Sequence, residues 1–212
     1  LFILISGGIG TFYLGEIQKK ETQSFNHHLL RIETLNLNDY FLILERQINA
    51  LSESQEIKLW AEGKEISTDA LNFFLKRNAS LFSNAVCYLM DRKGNTLASS
   101  NFDAPLSFVG QNYSIRPYFK KAMEGDISFY IAQGLTSKTP GYYCSTPVRN
   151  SQGEVIGVCA IKYELKKIPL RYDHGGCYFL TDADGIILDS NIPGAFLRPL
   201  LPLDLGQWRN KT

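Results

Sequence analysis

The chain has 212 residues, of which 44% are hydrophobic and 20% are charged, and its formal net charge is +1. This length suits one large domain or two small ones, and the composition is that of an ordinary globular protein. The near balance of 22 basic and 21 acidic residues gives no electrostatic case for nucleic-acid binding, although a local positive pocket is compatible with it.

The first 14 residues carry no charge. A helix that crosses a bilayer needs about 20 apolar residues, so this run is too short to be a complete span. Its three glycines weaken a soluble helix but are common in membrane spans. We therefore predict that residues 1–15 are the C-terminal end of a transmembrane span. The alternative is a buried N-terminal helix.

Residues 16–65 are predicted to form a long stalk helix, which continues to about residue 60. Its apolar side chains recur every three or four residues, which places them on one face of the helix. They are Leu37, Phe41, Leu44, Ile48 and Leu51, with Phe25, Leu29 and Ile32 continuing the spacing toward the N-terminus. Such a stripe can pack on the chain's own sheet, on a partner helix, or on both. We expect a core element that is also a homodimer contact.

Residues 66–168 are predicted to form an α+β module. Ser67 and its neighbours offer N-caps for a helix over residues 70–80. A second, short helix over residues 117–124 has Pro117 in its first turn and Gly125 after its end. Alternating apolar patterns separated by turn residues predict five strands. The strands are residues 85–90, 96–99, 127–133, 142–149 and 155–163, and the layer rules make their sheet antiparallel.

An internal repeat indicates a second module of the same kind. Residues 87–94 (CYLMDRKG) recur, with one insertion, as residues 177–185 (CYFLTDADG). Two copies of the same opening hairpin predict two sheets in tandem. The second module, residues 169–212, is expected to be incomplete because it holds fewer than half as many residues as the first. Asp182 and Asp184 lack the other ligands of a calcium loop, so a strand turn is predicted there.

The sequence offers no catalytic or metal-binding set. The four cysteines form no CxxC pair, and no histidine lies at zinc-ligand spacing. Three of the cysteines lie in apolar runs, which predicts buried free thiols; one disulfide is the alternative. We expect no catalytic residue, no metal and no cofactor in this segment.

Four stretches resemble double-Cache sensor domains, which are tandem PAS-like modules. They are residues 112–125 (NYSIRPYFKKAMEG), 134–137 (GLTS), 141–165 (GYYCSTPVRNSQGEVIGVCAIKYEL) and 179–190 (FLTDADGIILDS). The resemblance is strongest to the periplasmic domain of sensor histidine kinases of the DctB type, which respond to C4-dicarboxylates. It implies a long helix, a membrane-distal ligand-binding sheet module (residues 66–168) and a membrane-proximal module.

The candidate binding residues combine two cations with several hydroxyl groups. The planar fork of Arg116 suits a carboxylate, although a surface arginine or an internal ion pair is the alternative. Lys162 shares a strand face with Val158 and Ala160, where an ammonium needs a partner or a wet cavity, unless its head reaches solvent at the strand end. The remaining candidate ligand-binding residues are Tyr113, Thr136, Tyr143 and Ser145.

These features predict the sensor domain of a two-component histidine kinase, periplasmic and anchored in the inner membrane. Two facing cations favour a dianion such as succinate, fumarate or malate. The same module could instead serve a chemoreceptor or a diguanylate cyclase, or sense an amino acid or a monocarboxylate. An adhesive domain without a small ligand is the third possibility. A partner nucleic acid is not expected.

Overall fold

A computed structural model describes residues 9–82, 85–164, 177–181 and 185–200 of the chain. Residues 1–8 of the predicted span, Asp182 and Asp184 of the predicted turn, and residues 201–212 of the second module lie outside these ranges. The described part has no helix that combines the length and the apolar character needed to cross a bilayer. The described residues before Ile43 and those from Ile43 onward form two separate compact units.

The long N-terminal helix, α1, runs from Ile9 to Ser52 and is followed by the short helix α2, Gln55–Ala61. The single helix predicted for residues 16–60 is therefore broken at residues 53 and 54. Two serine hydroxyls mark the break: Ser52 donates to Asn49 O at 2.9 Å, and Ser54 donates to Leu51 O at 2.7 Å. Serine side chains of this kind compete with the helical backbone bonds and favour helix ends.

Two further helices have the predicted termini. α3, Thr68–Leu81, begins after Ser67, whose side chain accepts a hydrogen bond from Ala70 N at 3.1 Å. α4, Pro117–Glu124, has Pro117 at its start. It ends at Gly125, whose φ of 107° is accessible mainly to glycine. The capping residues thus place α4 directly after the polar segment that contains Arg116.

Five antiparallel strands form one sheet in the order β2-β1-β5-β4-β3. They are β1 Val86–Asp91, β2 Thr96–Ser99, β3 Ser128–Gln133, β4 Pro140–Arg149 and β5 Val155–Glu164. The long strands β4 and β5 are central, and β3 and β2 form the edges. The predicted α+β fold with an antiparallel sheet is confirmed.

Helices cover both faces of this sheet. One face carries α4 over an aromatic core that includes Tyr88, Tyr118 and Tyr143. The opposite face carries the buried free thiols of Cys87, Cys144 and Cys159, which the register of β1, β4 and β5 places on one side. The fourth cysteine, Cys177, is exposed and also free.

The end of α1 packs on the thiol-bearing face. Leu44, Ile48 and Leu51 of the predicted stripe are buried. Tyr163 of β5 donates from its hydroxyl to Gln47 Oε1 at 2.8 Å. This part of α1 is therefore a core element of the sheet module.

The repeated hairpin forms a separate two-stranded sheet. Its strands are β6, Phe179–Thr181, and β7, Ile187–Ser190. The hairpins β1–β2 and β6–β7 each contain one register irregularity near the turn. Each also closes with a serine that donates to a backbone carbonyl: Ser99 to Cys87 O at 3.4 Å and Ser190 to Tyr178 O at 2.8 Å. The two hairpins thus match in structure, but their registers align Cys87 with Tyr178 and not with Cys177, so the predicted alignment of the Cys-Tyr pairs is one residue out of step.

Candidate functional site

The turn between β1 and β2 fixes the segment that carries Arg116. Gly94 has a φ of 80°, and a Cβ atom at this position would lie 2.6 Å from Ser114 N, so only glycine allows the close approach. Tyr113 N donates to Gly94 O at 2.8 Å, and Arg116 N donates to Tyr113 O at 2.9 Å. The arginine therefore sits on a short, hydrogen-bonded segment just before α4.

The guanidinium of Arg116 lies among three tyrosine rings. Its central carbon is 5.5 Å from the ring centroids of Tyr130 and Tyr143 and 5.8 Å from that of Tyr118. These are cation–π distances. Its Nη2 atom also donates to the backbone carbonyl of Gln133 at 3.3 Å. These contacts hold the cation in place without neutralising its charge.

Lys162 lies on the same sheet face, paired in register with Tyr143. Its side chain is only 4% exposed. Its ammonium donates to Ser137 Oγ and, at 2.9 Å, to Thr139 Oγ1. Burial lowers the pKa of Lys162 from its usual value, and the nearby Glu164 carboxylate opposes this. The protonated ammonium is thus held in a partly desolvated place, where an anion would interact with it strongly.

Adjacent residues of the β3–β4 loop connect the two cations. Thr136 Oγ1 shares a hydrogen bond of 2.8 Å with the hydroxyl of Tyr113. The backbone carbonyl of Tyr113 in turn accepts from Arg116 N. Ser137, the neighbour of Thr136, accepts from Lys162. One short loop therefore contacts both Lys162 and the segment that carries Arg116.

The tyrosine hydroxyls of the site remain protonated at neutral pH. Burial raises the pKa of Tyr143 to about 12, although the cation of Arg116 partly offsets this. Burial also raises the pKa of Tyr113, with the Thr136 hydrogen bond and Arg116 opposing it. Neutral phenols can donate hydrogen bonds to an anion.

Ser145 has a different environment from the other predicted residues. It is fully buried, and its hydroxyl donates to the backbone carbonyl of Tyr118 at 2.9 Å. That bond ties β4 to α4. We expect Ser145 to position Tyr118 rather than to contact a ligand.

Two hydroxyl residues next to Lys162 were not among the sequence candidates, namely Ser137 and Thr139. The only sequence signal for them is their place in a hydroxyl-rich loop between two strands. Tyr118 and Tyr130 form part of the aromatic wall around Arg116.

Two cavities adjoin this region and differ in charge. One, of about 290 Å³, is lined by Lys162 together with Ser137, Thr139 and Glu164, and none of the other five predicted ligand-binding residues, Arg116 included, lines it. The other, of about 600 Å³, is lined by Thr139, Glu164 and residues 188–194, including Asp189, and its lining contains no basic residue. Carboxylates without a cation repel a dianion, so the first cavity is the better candidate for an anionic ligand.

The chain is similar in sequence to two curated sensor proteins. No family model matches the chain. The chain is 35% identical over 128 residues to the C4-dicarboxylate transport sensor protein DctB of Rhizobium meliloti, covering 60% of this chain and 20% of that protein. It is 32% identical over 105 residues to the protein of that name from Pseudomonas aeruginosa, covering 50% of this chain and 16% of that protein. The chain thus spans at most about a fifth of these curated relatives.

Solved structures share the fold. The sensor domain of the V. cholerae histidine kinase DctB matches with a TM-score of 0.81 and 27% identity, covering 92% of this chain and 76% of that one. The ligand-binding domain of the Pseudomonas fluorescens chemoreceptor CtaA, solved with L-serine, matches with a TM-score of 0.68 at 18% identity, covering 86% and 78%. At that identity the second likeness concerns the fold alone.

Proposed function

Because this chain is a ligand-binding sensor domain of the DctB type, we propose that it binds a short dicarboxylate, of the succinate, fumarate or malate class, without transforming it. In this proposal Arg116 holds one carboxylate by its fork, with help from Tyr113 and Thr136. Lys162 meets the other carboxylate, with help from Tyr143.

The observation that carries the proposal is the pair of cations without a carboxylate in contact. Within the described ranges, four ion pairs are formed, and neither Arg116 nor Lys162 takes part in any of them. Arg116 instead contacts aromatic rings and one carbonyl, and Lys162 contacts two hydroxyls. Glu164 lies near Lys162 but forms no ion pair with it. A buried or partly buried cation without an ion-pair partner gains much from an incoming carboxylate.

A thermal-shift screen on the full chain tests this proposal. A ligand at about 100 times its dissociation constant stabilises the native state by about 2.7 kcal/mol. Succinate, fumarate and malate should each raise the melting temperature, whereas propionate should raise it much less because it reaches only one cation. Absence of a shift with every dicarboxylate would contradict the proposal.

An amino acid is the second candidate ligand. Glu164 lines the same cavity as Lys162 and could receive an ammonium group. Adding L-serine and L-leucine to the same screen decides between the two classes. A shift with these amino acids and none with succinate would favour an amino-acid sensor.

Dicarboxylate affinity should fall as the pH rises through the pKa of Lys162 in the free protein, which lies below the usual 10.5. The pKa of Lys162 is lowered in the free protein, and a bound carboxylate favours the charged form, which raises this pKa again. Binding therefore takes up a proton once the pH exceeds the pKa of the free lysine, and the affinity drops there. Tyr143 does not contribute in this range, because its pKa of about 12 is higher.

Calorimetry in a series of buffers from neutral pH up to the usual lysine pKa of 10.5 measures this effect. Lys162→Met is the matched control, since it keeps the length of the side chain and removes the titrating group. An affinity that is constant over this range in the wild type would contradict a role for the Lys162 ammonium.

The output of the sensor is proposed from the relatives. The curated relatives are sensors of dicarboxylate transport, and one matched structure belongs to a histidine kinase. We therefore place this domain in the periplasm, as the ligand-binding part of an inner-membrane histidine kinase. Its N-terminal residues 1–15 would be the end of a membrane span.

The exposed side of α1 supports a homodimer. Large apolar side chains are exposed at Phe25, Ile32, Leu35 and Leu42. Their spacing of seven, three and seven residues is that of the contact positions in a two-stranded coiled coil. We propose that two copies of α1 pair along this stripe.

Sedimentation equilibrium on the full chain in detergent measures the association. The wild type should form dimers at high concentration, and Leu35→Glu should shift the equilibrium strongly toward monomer because it places a charge in the contact. Leu81→Glu is the control, since Leu81 is equally apolar and exposed but lies at the end of α3. Monomer alone at every concentration of the wild type would contradict the proposal.

A further inference from the structure

The loop after β2 forms half of the lining of the cavity that contains Lys162. The lining residues from this loop are Asn101, Ala104, Pro105, Leu106 and Phe108. Four of these five are apolar, whereas Lys162 and its two hydroxyl partners line the cavity from β5 and the β3–β4 connection. The loop is therefore the apolar wall of this cavity.

Packing fixes the two ends of the loop but not its middle. Near the start, the ring of Phe102 lies against that of Phe73 of α3, with centroids 5.2 Å apart. At the end, Phe108 is buried, and its ring centroid lies 5.4 Å from that of Tyr88. Between these two anchors the wall is thin, since Leu106 is 59% exposed although it lines the cavity.

Three hydrogen bonds of the Asn101 side chain hold the middle of the loop. Its Nδ2 atom donates to Leu106 O at 3.0 Å. Its Oδ1 atom accepts from Phe108 N at 3.1 Å and from Ser99 Oγ at 2.6 Å. In the described part of the chain, no hydrogen bond joins residues 104–107 to another helix or strand. One amide thus connects the middle of the wall to both of its ends.

We propose that Asn101 is a positioning residue for ligand binding: its amide holds residues 104–108 as the wall of the Lys162 cavity, so that the carboxylate that meets Lys162 is partly shielded from water. This inference rests on the proposed function. Shielding strengthens the attraction between the ammonium and the carboxylate, because opposite charges interact more weakly in water than in a site of low dielectric. Without the Asn101 bonds the loop would adopt this conformation only part of the time, and the apparent affinity falls by that fraction.

A double-mutant cycle of Asn101→Ala and Lys162→Met, measured by calorimetry of succinate on the full chain, tests the inference. Asn101→Ala should weaken succinate binding roughly tenfold, which corresponds to a wall that is in place in about a tenth of the molecules. Added to Lys162→Met, the same substitution should cost little further affinity, because the wall acts on the contact that Lys162 makes. Independent sites would instead give losses that add.

Asn150→Ala is the matched control for the effect of losing an asparagine that braces a loop. In the β4–β5 turn, Asn150 Oδ1 accepts from Gln152 N at 3.1 Å and from Glu154 N at 2.9 Å, and its Nδ2 donates to Glu154 Oε2 at 3.0 Å. This turn lines neither of the two cavities described above. Asn150→Ala should therefore lower the melting temperature about as much as Asn101→Ala and keep the affinity for succinate.

Ser99→Ala provides the comparison if Asn101→Ala fails to fold. Ser99 is buried and does not line the cavity, but its hydroxyl donates to Asn101. Its removal should weaken succinate binding in the same Lys162-dependent way. The factor should be smaller, because two of the three Asn101 bonds remain.

The possible failures are distinguishable. Unchanged succinate affinity in a folded Asn101→Ala variant, or losses that add in the double variant, would overturn this inference and leave the proposed function standing. The same two outcomes for Ser99→Ala decide the question if Asn101→Ala does not fold. A wild-type chain that binds no dicarboxylate would overturn the proposed function and this inference with it.

Discussion

Replacing Arg116 by alanine should weaken succinate binding by roughly tenfold to a hundredfold or more. A charge-assisted hydrogen bond contributes about 1.5–3 kcal/mol, and each 1.4 kcal/mol changes the affinity tenfold. The aromatic surroundings strengthen the expectation, because three tyrosine rings hold the guanidinium while leaving its charge uncompensated. Isothermal titration calorimetry on wild type and variant measures the change.

Two further substitutions sharpen this experiment. Arg116→Lys should restore binding only in part, because an ammonium lacks the planar fork that holds both carboxylate oxygens. Arg92→Ala should leave binding unchanged, since Arg92 is an exposed arginine that pairs with Glu154 at 3.5 Å. Unchanged succinate affinity in Arg116→Ala would show that the two-anchor arrangement is wrong.

Removing the charge of Lys162 should lower the affinity for dicarboxylates much more than the affinity for monocarboxylates. Lys162→Ala and Lys162→Met both delete the second anchor, so succinate should lose far more affinity than propionate. A two-anchor site predicts a loss for succinate of about the same size as in Arg116→Ala. Titration of both ligands into both variants measures the difference.

Stability provides an independent measurement on the same variants. The lowered pKa of Lys162 means that the native state disfavours its ammonium relative to the unfolded chain. The resulting decrease in the free energy of unfolding is fully present below the lowered pKa of the native state. It disappears as the pH rises toward the usual pKa of lysine. At neutral pH, Lys162→Met should therefore match or exceed the melting temperature of the ligand-free wild type.

For the binding experiment, equal affinity losses for succinate and propionate in the Lys162 variants would contradict the assignment of Lys162.

Local sequence patterns were sufficient for much of the fold. Pro117 and Gly125 delimit α4 because each residue acts through its own backbone, independently of tertiary contacts. Alternation along β5 places Lys162 on the face that bears Val158 and Ala160, and the register agrees. These properties depend on neighbours in sequence and can be inferred from one chain.

Other features depend on depth and on contacts between distant segments. Tyr143 and Ser145 share a face of β4, but only the register shows that Ser145 lies opposite Ser128 and Ala160, beneath α4. Alternation along a strand predicts on which face of the sheet a side chain lies, but not how far that side chain lies from a cavity. For the same reason, Ser137 and Thr139 could not be identified as partners of Lys162, since the conformation of the loop decides where their hydroxyls lie.

Lys162 and Tyr163 are neighbours in β5, so their side chains leave the sheet on opposite faces. One reaches the candidate binding site, and the other donates to Gln47 of α1 at 2.8 Å. Only one peptide unit, with Cα atoms about 3.8 Å apart, separates them. The contact between β5 and α1 therefore begins at the residue next to the lysine of the candidate site. Tyr163→Phe would remove this hydrogen bond, while the buried Leu44, Ile48 and Leu51 keep the end of α1 packed on the sheet.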